Sequence, residues 1–160
     1  MKLRAATLAL MAGLAMPGLL MPLSAAAHES KGKVDIEADS MELFEQRNEA
    51  IFRGNVRASK KNVKLSAGTL LVKFTKDSAG KTEVTWLETK GGGVQIITST
   101  QTINGDWMKM NVKANTAVVG GGVTVKQGTS VVRGDKLDVD LNTSQSKFSG
   151  GRVKGIFLPN

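Results

Sequence analysis

Three aspartates at corresponding positions are the first candidates for chemistry in this sequence. Asp39, Asp106 and Asp135 each follow a small residue and open a similar stretch of chain. Carboxylates of this kind can bind a metal ion or act as general acids and bases. Neither a histidine nor a second carboxylate accompanies them regularly, however. We therefore interpret them as structural residues that satisfy backbone N–H groups at strand corners, and we predict no metal site.

Asp138 and Asp140 form a second group of carboxylates. Two carboxylates close together could act as the acid and the base of a glycosidase. Both alternate with apolar residues such as Leu137 and Val139, which is typical of the solvent-facing side of a strand. The single histidine, His28, lies near the N-terminus, and the chain has no tyrosine and no cysteine. A Ser-His-Asp triad and a thiol nucleophile are therefore excluded. We predict no catalytic residues, no enzymatic activity and no cofactor.

The elements that must position these residues are β-strands. From Val34 onward, apolar residues recur at every second position, which places them on one face of a strand. Turn residues interrupt these runs roughly every eight to twelve positions, and no convincing helical stretch is present. The pattern predicts an all-β domain.

The sequence also repeats itself. Aligning Asp39 with Asp106 places Val56 on Val123 without a gap, and each of the two halves contains a second copy that begins 29 residues further on. Each unit reads as a hairpin with a turn near Asn or Ser, followed by a Gly-x-Val corner. The units begin near Ala38, Ala67, Gly105 and Gly134. Four hairpins in line predict a stack whose apolar faces form one continuous interior.

Two glycine triplets and one insertion interrupt the repeat. The triplets at 91–93 and 120–122 precede valine, whereas a phosphate-binding loop requires Lys-Ser/Thr and a helix. We interpret them as bulges or turns. The insertion at 76–81 in the second unit predicts an exposed hairpin tip, with Gly80 supplying the turn.

The N-terminus has the composition of a secretory signal. Lys2 and Arg4 precede an apolar run, and an Ala-x-Ala site ends at Ala27. We predict a signal peptide at 1–27, a linker at 28–33 and one β-domain at 34–158; a retained membrane anchor is the alternative. Cleavage would leave a chain of single-domain length. This chain would still be basic, because the removed segment contains only two cationic side chains, Lys2 and Arg4. A basic exported domain favours an anionic partner such as lipid phosphate over nucleic acid.

Basic residues and small apolar residues provide two binding hypotheses. The basic group around one hairpin consists of Arg53, Arg57, Lys60, Lys61 and Lys64. It is either a solvated strand face or an attraction site for an anionic headgroup. The small and medium apolar positions, Val34, Ala38, Val63, Ala67, Val94, Val123 and Val125, predict either a packed core or an open apolar trough for acyl chains.

Several of these stretches resemble a known family. The motifs "VDIEADSMEL", "AIFRGNVRA" and "VVRGDKLDVDL", within residues 34–153, are similar to those of the LptA/OstA-like family of periplasmic lipopolysaccharide-transport proteins. The resemblance implies an antiparallel β-jellyroll of stacked hairpins, open along one side, in the periplasm. It also implies binding of lipopolysaccharide through its lipid A, and a bridge that carries this lipid from the inner to the outer membrane.

The resemblance further implies contacts and partners. The implied lipid contacts are Val34 and Ile36 in the first strand, with Val94, Ile96, Val123 and Val125 further along. The first strand, near 34–38, is expected to dock an LptC-like partner, and the last, near 152–158, an LptD-like partner or the next copy in a head-to-tail assembly.

Three alternatives remain open at this point. The first is an inner-membrane-anchored LptC-like subunit of the same pathway. The second is a secreted β-solenoid structural or adhesive protein with a sealed core. The third is a carbohydrate-processing enzyme, which would depend on Asp138 or Asp140.

Overall fold

The computed structural model describes residues 33–158, which form twelve β-strands and one short 3-10 helix. The strands are β1 (Asp35–Glu37), β2 (Ser40–Phe44), β3 (Glu49–Lys60), β4 (Val63–Lys76), β5 (Thr82–Thr89), β6 (Val94–Ile97), β7 (Thr102–Gly105), β8 (Trp107–Asn111), β9 (Thr116–Gln127), β10 (Ser130–Asp140), β11 (Gln145–Ser149) and β12 (Lys154–Ile156); the helix is Glu45–Arg47. The all-β prediction is confirmed. Within the described part no helix has the length and apolarity to cross a membrane. The predicted signal peptide and His28 lie outside the described residues.

The twelve strands form two layers that share four long strands. Each of β3, β4, β9 and β10 changes its neighbours halfway along its length. For example, β3 pairs with β2 over residues 49–53 and with β1 over residues 57–59. The first layer runs β2–β3–β4–β5–β8–β9–β10–β11, and the second runs β1–β3–β4–β6–β7–β9–β10–β12. Every pairing is antiparallel, as the jellyroll expectation requires.

Glycine-rich corners carry the chain from one layer to the other. Each corner has at least two consecutive residues with positive φ: Gly54 and Asn55, Gly91 to Gly93, Gly121 and Gly122, and Gly150 and Gly151. A side chain with a Cβ rarely adopts this conformation, so glycine is favoured there. These four corners fall where the repeat predicts them, and both glycine triplets lie at corners.

Each of the three recurring aspartates lies against a corner glycine. The pairs are Asp39 with Gly54, Asp106 with Gly121, and Asp135 with Gly151. The backbone N–H of Asp39 donates to the Gly54 carbonyl at 2.9 Å, and the Asp106 N–H donates to the Gly120 carbonyl, also at 2.9 Å. The Asp39 carboxylate accepts from the Asn55 side-chain amide at 2.8 Å rather than from a backbone N–H. The aspartates are structural, as predicted. For Asp39, however, the predicted contact is wrong, because its backbone N–H and not its carboxylate makes the hydrogen bond to the corner backbone.

At the end of the first layer away from the corners, the turns contain residues in the left-handed backbone conformation. Asn48, Asn115 and Ser144 have φ values of 51°, 53° and 56°, and they occupy equivalent positions in three of the repeat units. The Phe74 N–H donates to the Asn48 carbonyl at 3.0 Å, and the Leu141 N–H donates to the Asn115 carbonyl at 2.9 Å. These two bonds are the same contact in the two halves of the repeat.

The insertion in the second unit forms the hairpin tip that the sequence predicts. Asp77 accepts the backbone N–H groups of Ala79 and Lys81 through one carboxylate oxygen, at 3.0 and 2.8 Å. Gly80 has a φ of 78° and donates its N–H to the Asp77 carbonyl at 2.9 Å. The tip therefore closes through its own polar groups without contributing to the core.

One apolar core lies between the layers. Leu70, Val119 and Leu137 are fully buried, and buried side chains from both layers join them in a single cluster. The inward positions follow period two along each half strand, so the predicted continuous interior is confirmed.

Thr89 is the one buried polar side chain among the described residues, and it links two strands of the first layer. It is 2% exposed, and its hydroxyl accepts the backbone N–H of Met108 at 2.8 Å. The ladder between β5 and β8 pairs only residues 86–88 with 109–111. The Thr89 side chain therefore extends this short ladder by one hydrogen bond.

We expect Thr89→Val to lower the free energy of unfolding by about 1–3 kcal/mol, because it leaves a buried N–H without an acceptor while keeping the side-chain volume. Denaturant titration measures the loss. Thr85→Val is the matched control: its hydroxyl only donates to the Lys73 carbonyl at an exposed position, at 3.2 Å. Equal losses in the two variants would contradict this role of Thr89.

Candidate functional site

A long cleft lies along the margin opposite the corners, where the turns of the two layers face each other. Its volume is about 900 Å³. The second layer lines it with residues 60–63, 98–101 and 127, and the first layer with residues 83–84, 112–113, 115, 139–142, 144 and 146. We call this cleft the mouth. Because the corners join the layers on one side and the mouth separates them on the other, the jellyroll is open along one side, as expected.

An apolar slot continues from the mouth into the core. The mouth and the slot share lining residues, including Val63, Val112 and Leu141. The deeper walls are Ala58, Leu65, Leu87, Ile96, Ile103, Met108, Met110 and Ala117. The free volume of the slot is only about 60 Å³, well below the roughly 300–1,000 Å³ of typical ligand pockets. An acyl chain therefore enters only if side chains move or the layers separate.

The six expected lipid contacts occupy different environments. Val34 and Ile96 line the slot. Val94, Val123 and Val125 lie in the packed core, at 4%, 1% and 8% exposure. Ile36 is partly buried on the edge strand β1 and packs against the same core. The sequence hypothesis did not include Met108 and Met110 among the contacts, although their period-two spacing was visible.

The predicted basic group does not form one patch. Lys60 and Lys61 line the mouth. Lys64 points to the outer face of the second layer, between the inward-facing Val63 and Leu65. Arg53 lies in the first layer and pairs with Glu42 at 2.9 Å. Of the predicted group, only Lys60 and Lys61 are placed to meet a ligand that enters through the mouth.

A chain of side-chain hydrogen bonds crosses the mouth. Lys60 Nζ, from the second layer, donates to Asn115 Oδ1 in the first layer at 3.0 Å. Asn115 Nδ2 donates to Asn142 Oδ1 at 3.0 Å, and Asn142 Nδ2 donates to the Ala114 carbonyl at 2.9 Å. We call the Lys60–Asn115–Asn142 chain the mouth strap. It connects the free margins of the two layers through side chains alone.

Asp138 and Asp140 have local structural partners. Asp140 accepts the backbone N–H groups of Asn142 and Thr143 at 2.8 and 3.2 Å, which closes the turn after β10. Asp138 pairs with Lys136 at 3.4 Å. Neither arrangement needs a ligand. No group of side chains within residues 33–158 has the makeup of a metal site.

Both ends of the strand stack have unpaired edges among the described residues. At the N-terminal end, β1 and β2 pair only with β3, and Met41 and Leu43 on β2 are 55% and 49% exposed. At the C-terminal end, β11 and β12 pair only with β10. Ile156 and Phe157 are 40% and 72% exposed there. Each end thus combines free backbone groups with exposed apolar side chains.

Comparisons with known proteins agree with this architecture. A family described as "LptA/(LptD N-terminal domain) LPS transport protein" matches residues 35–143 and 102–157. The crystal structure of LptH, described as the LptA homologous periplasmic component of the conserved lipopolysaccharide transport device from Pseudomonas aeruginosa, has a similar fold. The TM-score is 0.70 at 19% sequence identity, and the similarity covers 81% of this chain and 97% of that chain. No curated protein sequence matches the chain significantly.

Proposed function

Because the chain belongs to the family of lipopolysaccharide-transport proteins formed by LptA and the N-terminal domain of LptD, we propose that it is a periplasmic lipopolysaccharide carrier. It binds the lipid A acyl chains between its layers and forms part of a bridge from the inner to the outer membrane. It acts by binding, without catalysis or a cofactor.

The observation that carries this proposal is the apolar slot under a polar mouth. An amphiphile placed there has its acyl chains in the core and its sugars at the turns. Burying each methylene contributes about 0.8 kcal/mol, so a chain of about a dozen carbons gains roughly 10 kcal/mol before ordering costs. No catalytic constellation of the described residues competes with this interpretation of the cleft.

Loading requires the slot to widen, and the margin at the mouth is where this costs least. Backbone ladders hold each layer together, and the four long strands join the layers at the corners. Across the mouth the mouth strap supplies only side-chain hydrogen bonds. The layers can therefore separate at the mouth without breaking a strand pairing. In the open state we place Val34, Ile36, Val94, Ile96, Val123 and Val125 against lipid.

The unpaired edges support the bridge. An edge strand with free N–H and C=O groups accepts a strand from another chain. We assign β1 and β2 to an LptC-like partner, and β11 and β12 to an LptD-like partner or to the next copy of this chain. Head-to-tail copies would place one stack of strands in continuity with the next.

A photo-crosslinking residue at position 36, tested in living cells, examines the carrier function directly. We expect a lipopolysaccharide adduct at this position. We also expect Ile36→Asp to reduce lipid uptake by more than ten-fold while the chain stays β-rich, because it places a charge against the apolar core.

Ile97→Asp is the matched control, because Ile97 is 40% exposed on β6 and makes no part of the slot. Normal uptake is expected for this variant. Equal lipid uptake by wild type and Ile36→Asp would count against the acyl-chain site. A sealed interior that takes up no lipid would favour the structural or adhesive alternative.

A further inference from the structure

Lys60 has an unusual position among the cations of the mouth. It lines both the mouth and the slot, so its side chain lies where the polar and apolar regions meet. The residue is partly buried, whereas its neighbour Lys61 and Lys113 across the mouth are exposed. Lys60 is therefore the mouth cation closest to the apolar interior.

The partner of Lys60 is neutral. Its Nζ donates to Asn115 Oδ1 at 3.0 Å, and none of the ion pairs formed within residues 33–158 includes Lys60. A partly desolvated ammonium group gains more from an anionic acceptor than from an amide carbonyl, because only the anion adds the attraction of opposite charges, and that attraction is stronger in a partly buried site than in water. An anionic ligand group would thus compete effectively with Asn115.

The residues around Lys60 indicate what kind of ligand would carry this anionic group. The slot below Lys60 is apolar, and the rim beside it has amide and hydroxyl groups, including Asn62, Thr98 and Gln101. An amphiphile with acyl chains, sugar hydroxyls and a phosphate matches all three features. A free phosphate matches only the last.

We propose that Lys60 receives a headgroup phosphate of the bound lipid, and that this contact replaces the Lys60–Asn115 bond and so releases the mouth strap. The proposal rests on the lipid-carrier function and adds a residue that selects the phosphorylated lipid. Asn115 positions Lys60 when the slot is empty, and the phosphate positions it when the slot is filled.

The test compares two lipids and four variants of the purified protein. Lipopolysaccharide with intact headgroup phosphates and the same lipid after dephosphorylation each displace a fluorescent lipid probe. We expect wild type to bind the phosphorylated form about ten-fold more tightly. Lys60→Gln is expected to lose this preference and to retain binding of the dephosphorylated form. Lys60→Arg, which keeps the charge, is expected to retain the preference.

Two further variants separate this contact from general charge effects. Lys64→Gln removes one positive charge from the outer face of the same hairpin, and we expect it to behave as wild type. Asn115→Ala removes the competing acceptor, and we expect it to bind the phosphorylated lipid at least as tightly as wild type. Circular dichroism confirms that every variant is folded.

The outcomes distinguish this proposal from the function on which it rests. A preference that persists in Lys60→Gln, or that disappears equally in Lys64→Gln, overturns the role of Lys60. Equal binding of both lipids by wild type overturns it as well but leaves the carrier function intact. Failure to bind either lipid overturns both. Titration with inorganic phosphate alone should give no Lys60-dependent signal, and such a signal would reassign the site to the free ion.

Discussion

Gly121→Ala is expected to lower the free energy of unfolding by about 3 kcal/mol, which corresponds to roughly 10 °C in melting temperature. Gly121 has a φ of 78°, a conformation that costs a residue with a Cβ about 1 kcal/mol or more. A methyl group there would also lie 2.5 Å from the Asp106 Cβ, so the corner must shift. Calorimetry or denaturant titration measures the loss.

The next residue provides a control for backbone strain. Gly122 has the same φ of 78° but no atom within 4 Å of the position a Cβ would take, so Gly122→Ala should cost only about 1 kcal/mol. Adding Asp106→Gly to Gly121→Ala should recover part of the loss, because it imitates the second unit, where Gly68 occupies the aspartate position. Similar losses for the two glycine variants, without recovery in the double variant, would contradict the steric role of Asp106.

Charges at either end of the stack should abolish head-to-tail assembly. We expect wild type to form longer oligomers as its concentration rises, because both ends have unpaired edges and exposed apolar residues. Met41→Lys with Leu43→Lys blocks the N-terminal end, and Ile156→Lys with Phe157→Lys blocks the C-terminal end. Each double variant alone should be monomeric, because lysines on an edge oppose pairing. Analytical ultracentrifugation gives the masses.

The mixture of the two double variants identifies the type of contact. One variant keeps a free C-terminal end and the other a free N-terminal end, so an equimolar mixture should form dimers and nothing larger. Dimers formed by either variant alone would indicate a symmetric contact instead. A wild type that stays monomeric at high concentration would contradict assembly altogether.

The repeat made much of the fold predictable from the sequence. Period two located the strands, and the alignment of the two halves placed equivalent turns at Asn48 and Asn115. The corners could be recognised in the sequence because a left-handed backbone conformation favours glycine, as at Gly121 and Gly122. These features depend on local backbone chemistry, which leaves a signature in neighbouring residues.

The state of the interior and the grouping of charges could not be predicted in this way. The same small apolar residues suit a trough or a packed core, and the structure shows a slot of only about 60 Å³. The mouth strap joins Lys60 to Asn115, which are 55 positions apart. The supposed basic group divides between layers because β3 changes layer between Arg53 and Arg57. Such features depend on which strands meet in space.

The free edges at both ends of the stack have a geometric consequence for any assembly. Strands in a sheet rotate relative to their neighbours with a fixed hand, by about 20° per strand on average. Copies joined edge to edge continue that rotation, so their openings follow a screw around the common axis. A molecule handed from one copy to the next would consequently travel along a spiral path, and the turn at each junction would determine whether adjacent openings meet.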